Sequence, residues 1–495
     1  ALIRVNTEKG GNLGKPNIIA LIFEFDSHRW PRLGARERSC GYKKNDIFKE
    51  LYTKLFTKGS FVQNVGFSLS GNIFVLGIGF FLTPVIARIY GPEAYGQFAI
   101  FAATISLIQP LSTFQLQAGY VAAKDDKQFA DLIKISFTTL IFFTLLTLLG
   151  ALVYISLGED SKLPSFLAMA LPIYLFFAGT FNIFRGWNIK LEEFKRSAQS
   201  KAVATLTGKS TTLAYGWLVS QNALGMIWGS IIAFIMEAVG YITQNMRKSI
   251  AYVWRSKTDK YSLKQTFSEF SEYPKFVTTN SIIANFSSQI PIYFIAAWYS
   301  TEKVGLFSLA LSLITIPINL LGTSVGAVLL PKISAVIKNK TKRESLLINL
   351  YKKLFYPGIL GLILLAIGLK IGLPIILGIK WQGASQLSAF MALSFAFAVV
   401  ALPISVTYRL INYERVNLIL TIIFITLKVI GLSIGLFYDS FIYSMLGYFT
   451  ASILHNALQV FFLFGKLNIN RNFIYRDFMI GLILFVAAYY LIYNL

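Results

Sequence analysis

Apolar runs long enough to cross a bilayer recur from Phe61 nearly to the end of the chain. They lie at roughly 61–88, 95–121, 131–157, 164–187, 199–219, 223–245, 273–299, 304–330, 353–379, 386–411, 416–437, 441–465 and 478–494. A hydrocarbon core about 30 Å thick is crossed by about 20 residues of helix. Thirteen such runs predict an all-α, polytopic integral membrane protein. Only 14% of the 495 residues are charged, against about 25% in soluble domains. The single cysteine, Cys40, excludes a disulfide framework and a cysteine-rich metal site. No metal or cofactor is expected.

The formal net charge is +23, which invites a nucleic-acid reading, but its distribution argues otherwise. The connections at 45–60, 122–134, 185–201, 247–275, 332–353, 409–415 and 466–476 hold 30 Lys and Arg. The alternate connections hold four: Arg88, Lys162, Lys303 and Lys380. Basic loops stay on the cytoplasmic side. The charge is therefore expected to orient the protein, with the segment before the first span cytoplasmic, and no nucleic-acid partner is expected.

Residues 1–44 stand apart from this pattern. "IIALIF" at 18–23 is too short to span and has no cleavage pattern behind it. The first methionine is Met169, and the segment is expected to be either an artefact of start assignment or an added segment. From Tyr42 the chain is basic and amphipathic, leading into the first span. The outward loops are all short, and no nucleotide-binding motif is present. The inward connections at 246–272 and 331–352 carry amphipathic stretches expected to lie along the membrane surface.

The chain also repeats itself. "YGPEAYGQF" (90–98) recurs 209 residues later as "YSTEKVGLF" (299–307), matching at Tyr90/Tyr299, Glu93/Glu302, Gly96/Gly305 and Phe98/Phe307. Phe67/Phe276, Ile73/Ile282, Ala87/Ala296 and Ile105/Ile314 match at the same offset. The expectation is two parallel six-helix lobes around a central cavity, related by an axis along the membrane normal. The boundaries expected are a cytoplasmic segment at 1–60, an N-lobe at 61–245 and a basic linker at 246–272. A C-lobe at 273–465 follows, then a basic loop and an additional hydrophobic helix at 466–495.

"PVIARIYGPEAYGQFAIFAATISLIQPL" (84–111) resembles the opening of the Wzx-like oligosaccharide flippase family, within the multidrug/oligosaccharidyl-lipid/polysaccharide (MOP) exporter superfamily. So does "EYPKFVTTNSIIANFSSQIPIYFIAAWYSTEKVGLFSLALSLITIPINLLGTSVGAVLLPKIS" (272–334). The resemblance spans about 61–465. It implies transbilayer movement of undecaprenyl-pyrophosphate-linked oligosaccharide, such as an O-antigen or other surface polysaccharide unit, in a bacterial inner membrane. Polysaccharide polymerase and chain-length machinery are the protein partners it suggests. The last hydrophobic helix departs from a twelve-helix core.

An anionic head group crossing hydrocarbon calls for cations inside the spans, where ionisable groups are costly. Three of the 46 Lys and Arg lie there: Lys209, Lys370 and Lys428. Lys209 shares a helical face with Thr205, Thr212 and Gly216, and Lys428 with Thr421, Gly431 and Gly435. Lys370 reads as either a cavity cation or a snorkelling one, and Arg88 as a cavity cation or an interface anchor. Asn72 on the first span and Ser281 and Asn285 on the seventh belong to polar stripes that suit a cavity wall or interhelical hydrogen bonds. Glu237 and His455 are candidates for ion coupling or structural partners. Lipid II export and multidrug export, within the same superfamily, are the alternatives. A multidrug exporter would want acids where these lysines stand. A membrane polymerase or ligase for the same lipid-linked sugars is the alternative of another class; it would need a large outward loop and catalytic residues, and neither is seen.

Overall fold

The computed structural model describes residues 61–157, 164–257, 259–411 and 413–494. All the regular structure among them is helical. The first helix, α1 (Phe61–Ser112), is bent at Gly91, whose φ of 72° a side chain would strain, and Pro92 follows. It therefore carries two of the expected spans. The N-lobe continues with α2 (Asp126–Ser156), α3 (Ser165–Lys190), α4 (Phe194–Leu218) and α5 (Ala223–Gly240).

The linker forms α6 (Gln244–Arg255) and α7 (Lys260–Glu269). α6 buries Met246 and Val253 and leaves Trp254 exposed. α7 is tied to the N-lobe: Ser262 donates to Asp131, and Lys124 pairs with Glu269 at 2.8 Å. That contact holds the Glu269 carboxyl below its ordinary range.

A π-helical turn (Tyr273–Thr278) leads into the C-lobe. There follow α8 (Thr279–Trp298), α9 (Thr301–Val336), α10 (Lys340–Leu377), α11 (Gln382–Ser394), α12 (Ala398–Ile404), α13 (Val406–Leu410), α14 (Glu414–Phe437) and α15 (Phe441–Lys466). The last helix, α16 (Asn472–Asn494), lies against α11 and α15. Its Asp477 is fully buried and accepts from the Tyr356 hydroxyl of α10 at 3.2 Å.

Eight helices among the described residues are individually long and apolar enough to cross a bilayer, and a pair bent by 53° in the α11–α13 region makes nine. Four of the thirteen expected spans are missing from that count: 478–494, which ends in residues whose side chains lie outside the described ones, and three for physical reasons. α1 counts once although it bends. α4 carries Lys201, Lys209 and many hydroxyls. α8 carries Asn280, Ser281, Asn285, Ser287, Ser288 and Gln289. Both polar helices pack against neighbours, α4 on α1 and α5, and α8 on α1, α9 and α14, while Asn280 and Ser288 stay exposed.

The repeated motif explains how the lobes meet. A Cβ on Gly96 would lie 1.9 Å from the Thr301 carbonyl oxygen, and one on Gly305 would lie 1.8 Å from the Pro92 carbonyl oxygen. At the 209-residue offset Gly96 corresponds to Gly305, and Pro92 to Thr301. The two copies of the loop therefore face each other across a local two-fold, and each glycine makes room for the other copy's backbone. Trp381 reinforces this end, donating its Nε1–H to the Ala87 carbonyl at 3.1 Å and packing edge-on to Tyr95.

Candidate functional site

α4 and α5 pack at glycines. A Cβ on Gly208 would meet the Gly229 carbonyl at 2.6 Å, and one on Gly229 would meet the Thr212 hydroxyl at 1.9 Å. Small residues at such a crossing let two backbones approach closely. Where α1 crosses this pair it leaves a hollow of about 210 Å³, bounded by Tyr95 and Phe98, by Thr205, Lys209 and Thr212, and by Ser230.

Lys209 is half-buried and makes no hydrogen bond or ion pair with any described residue. The hydroxyls around it already donate to backbone: Thr205 to Lys201, Thr212 to Gly208 and Ser230 to Met226, at 2.8, 3.0 and 2.9 Å. The ammonium is thus the charged donor left to serve a ligand, and an unpaired charge held in an apolar protein favours an anion beside it.

Lys428 has a different environment. It is 4% exposed, and its Nζ donates to the Ser287 carbonyl of α8. The reason lies four residues on. Pro291 has no N–H, so the Ser287 carbonyl loses its helical donor. The ammonium takes that place. It also lies 4.3 Å from the centroid of the Phe424 ring and 5.9 Å from that of Tyr448. His455 stacks on Phe424 with ring centres 3.9 Å apart. His455 and Lys428 thus belong to one packed cluster joining α8, α14 and α15.

The other expected positions fall as follows. Asn285 donates to the Ser106 carbonyl of α1 at 2.6 Å, bridging the lobes. Ser281 donates within its own helix, to Val277. Arg88 reaches the Ile376 carbonyl of α10 at 3.3 Å, also between the lobes. Lys370 is half-buried on α10, and its carbonyl accepts from Ser385. Glu237 accepts from the Tyr241 hydroxyl at 2.6 Å. The side chain of Asn72 lies outside the described residues.

Sequence reasoning missed a second register in the repeat. Lys209 and Lys428 are 219 residues apart, as are Gly216 and Gly435. The C-lobe is ten residues longer ahead of these helices than the N-lobe, so an offset fixed at 209 hides the pair. The helices correspond in packing too, since α14 and α15 also cross at glycines: a Cβ on Gly431 would meet the Gly447 carbonyl at 2.5 Å. The two lysines occupy corresponding places in the two lobes.

Comparison with known proteins agrees with this architecture. The family model described as "Polysaccharide biosynthesis protein" matches residues 61–337. Among solved structures, the chain is similar to a lipid II flippase, MurJ, in an inward closed conformation, at 17% identity and a TM-score of 0.62. That match covers 87% of this chain and 99% of the other. A MOP superfamily transporter from Pyrococcus furiosus, described as having a binding pocket of reverse polarity, aligns at 13% identity and a TM-score of 0.51, over 82% of this chain and 95% of that one. A MATE transporter in complex with MaD3S aligns at 15% identity and 0.51, over 86% and 95%. No curated protein matches.

Proposed function

Since the chain belongs to the polysaccharide biosynthesis protein family and has the MOP transporter fold, we propose that it is a flippase for polyprenyl-pyrophosphate-linked oligosaccharides. Its direction is from the basic, cytoplasmic face of a bacterial inner membrane to the outer leaflet. The lobes are 61–245 and 273–465, joined by the linker 246–272, and the cargo's head group passes between them as they rock.

The observation that carries this reading is the half-buried Lys209, unpaired among the described residues, at a hollow between α1, α4 and α5. A pyrophosphate in a low-dielectric path needs a compensating cation. An exporter of organic cations would be served badly by an ammonium there. Lys428 is assigned a supporting role, since its ammonium is already engaged.

The test is glycolipid export, read as surface polysaccharide normalised to membrane-inserted protein. Lys209→Ala is expected to lower export at least tenfold, and Lys209→Glu to lower it further by repelling the phosphates. Lys209→Arg keeps the charge with a different fork geometry and should retain more export than Ala. Normal export by both the Ala and Glu variants would overturn the assignment.

A further inference from the structure

The C-lobe contains a hollow that the transport reading does not use. Its volume is about 320 Å³, within the range of about 300–1,000 Å³ typical of ligand pockets. The first turns of three helices form its mouth, with Lys303 from α9, Gly383 from α11 and Phe441 from α15. Its floor is apolar, made by Phe390 and Phe449. From Phe441 to Phe449 the helix rises about 12 Å. The hollow is therefore a funnel with a cation at its rim, the exposed Gln386 about one turn below Gly383, and apolar walls beneath. Lys303 lies 5.3 Å from the Phe441 ring centre and has no carboxylate partner among the described residues.

The N-lobe shows that the repeat does not require this hollow. At the 219-residue offset, Gln386, Phe390, Ile442 and Leu446 of the lining correspond to Leu167, Leu171, Ala223 and Ile227. Those four are a closed core, joined by Phe101. At the 209-residue offset Phe101 corresponds to Ala310, and Lys303 corresponds to Ala94. The C-lobe has thus lost a ring one turn below Leu306 and gained an ammonium at the rim above it. A cavity is costly to keep in a packed core, and here it coincides with a cation absent from the other lobe.

We propose that this funnel binds an anionic membrane lipid, with the phosphate at Lys303 and one apolar chain between α9, α11 and α15. The charge selects the head group, and the dry floor selects a chain over water. The site is separate from the Lys209 hollow, so it stands whether or not Lys209 serves the cargo.

The probe is decyl phosphate, titrated into the full chain in a neutral detergent with bound ligand counted by native mass spectrometry. Saturable binding of one molecule is expected. Lys303→Gln should weaken it about tenfold or more, and Lys303→Arg should hold it within about threefold. Leu446→Trp, which fills the funnel, should abolish binding while the melting temperature is unchanged. Inorganic phosphate and decyl maltoside, each lacking one half of the ligand, should compete at least a hundredfold more weakly. Equal affinity in Lys303→Gln would overturn the proposal. So would equal competition by inorganic phosphate, which would indicate a simple ion site, or by decyl maltoside, which would indicate a greasy slot without a role for the charge.

Discussion

The two lobes place a lysine at the same point of the same helix and surround it differently. Around Lys209 the N-lobe keeps space, and the amine has no hydrogen-bond or ion-pair partner among the described residues. Around Lys428 the C-lobe is closed, and the amine is held by a carbonyl and two rings. The reverse holds one layer away. The N-lobe packs α1, α3 and α5 into a dry core around Phe101, while the C-lobe leaves a funnel between α9, α11 and α15. A duplicated fold preserves where side chains stand. Which of those positions becomes a site depends on what the neighbouring helices fill.

The largest expected effect tests the symmetric part of this comparison. Gly96 and Gly305 face each other's loops with no room for a methyl group. Gly96→Val and Gly305→Val should each destabilise the protein by about 4 kcal/mol or more, as backbone clashes in packed interfaces do. Both should cut the monodisperse yield after detergent extraction by a similar factor. Tolerance of one valine and not the other would show that the contact is not symmetric.

The helical membrane fold was legible because membrane helices advertise themselves by length. The repeated loop was legible for a similar reason: both copies need a glycine at the same place. The site was less so. Lys209 and Lys428 look alike in sequence, each on a face of small and polar residues. What separates them is Pro291, on another helix, which orphans the carbonyl that Lys428 serves. Lys303 passed as one of four loop cations, since a hollow lined by three separate helices leaves no local pattern. The ten-residue shift between registers concealed both relationships.

The next effect tests the asymmetric cores. Phe101 is fully buried in the N-lobe and packs edge-on to Tyr174, with ring centres 5.2 Å apart. Phe101→Ala should cost about 3–5 kcal/mol, the usual range for emptying a phenyl site. In the C-lobe, Leu446→Phe adds bulk where there is already space, and should be neutral or stabilising by about 1 kcal/mol. Both are read from reversible unfolding in detergent. Equal penalties would mean that the funnel is as tightly packed in solution as its N-lobe counterpart.

The smallest effect sharpens the contrast between the two lysines. Removing the Lys428 ammonium leaves the Ser287 carbonyl buried without a donor. Hydrogen bonds to charged groups contribute about 1.5–3 kcal/mol, so Lys428→Met should lower stability by about 2 kcal/mol. Lys209→Met removes an amine that no described residue engages, and should leave stability unchanged or raise it. Pro291→Ala supplies the test of cause, because alanine restores the N–H that bonds the Ser287 carbonyl within α8. With the carbonyl served by its own helix, Lys428→Met should cost about 1 kcal/mol less than in the parent. That coupling is what a double-mutant cycle measures between groups in direct contact. The same cycle on Lys209 should give none. If the cost of Lys428→Met is the same with and without Pro291, the ammonium is held by the Phe424 and Tyr448 rings and not by the orphaned carbonyl. The two lysines would then differ by aromatic packing alone.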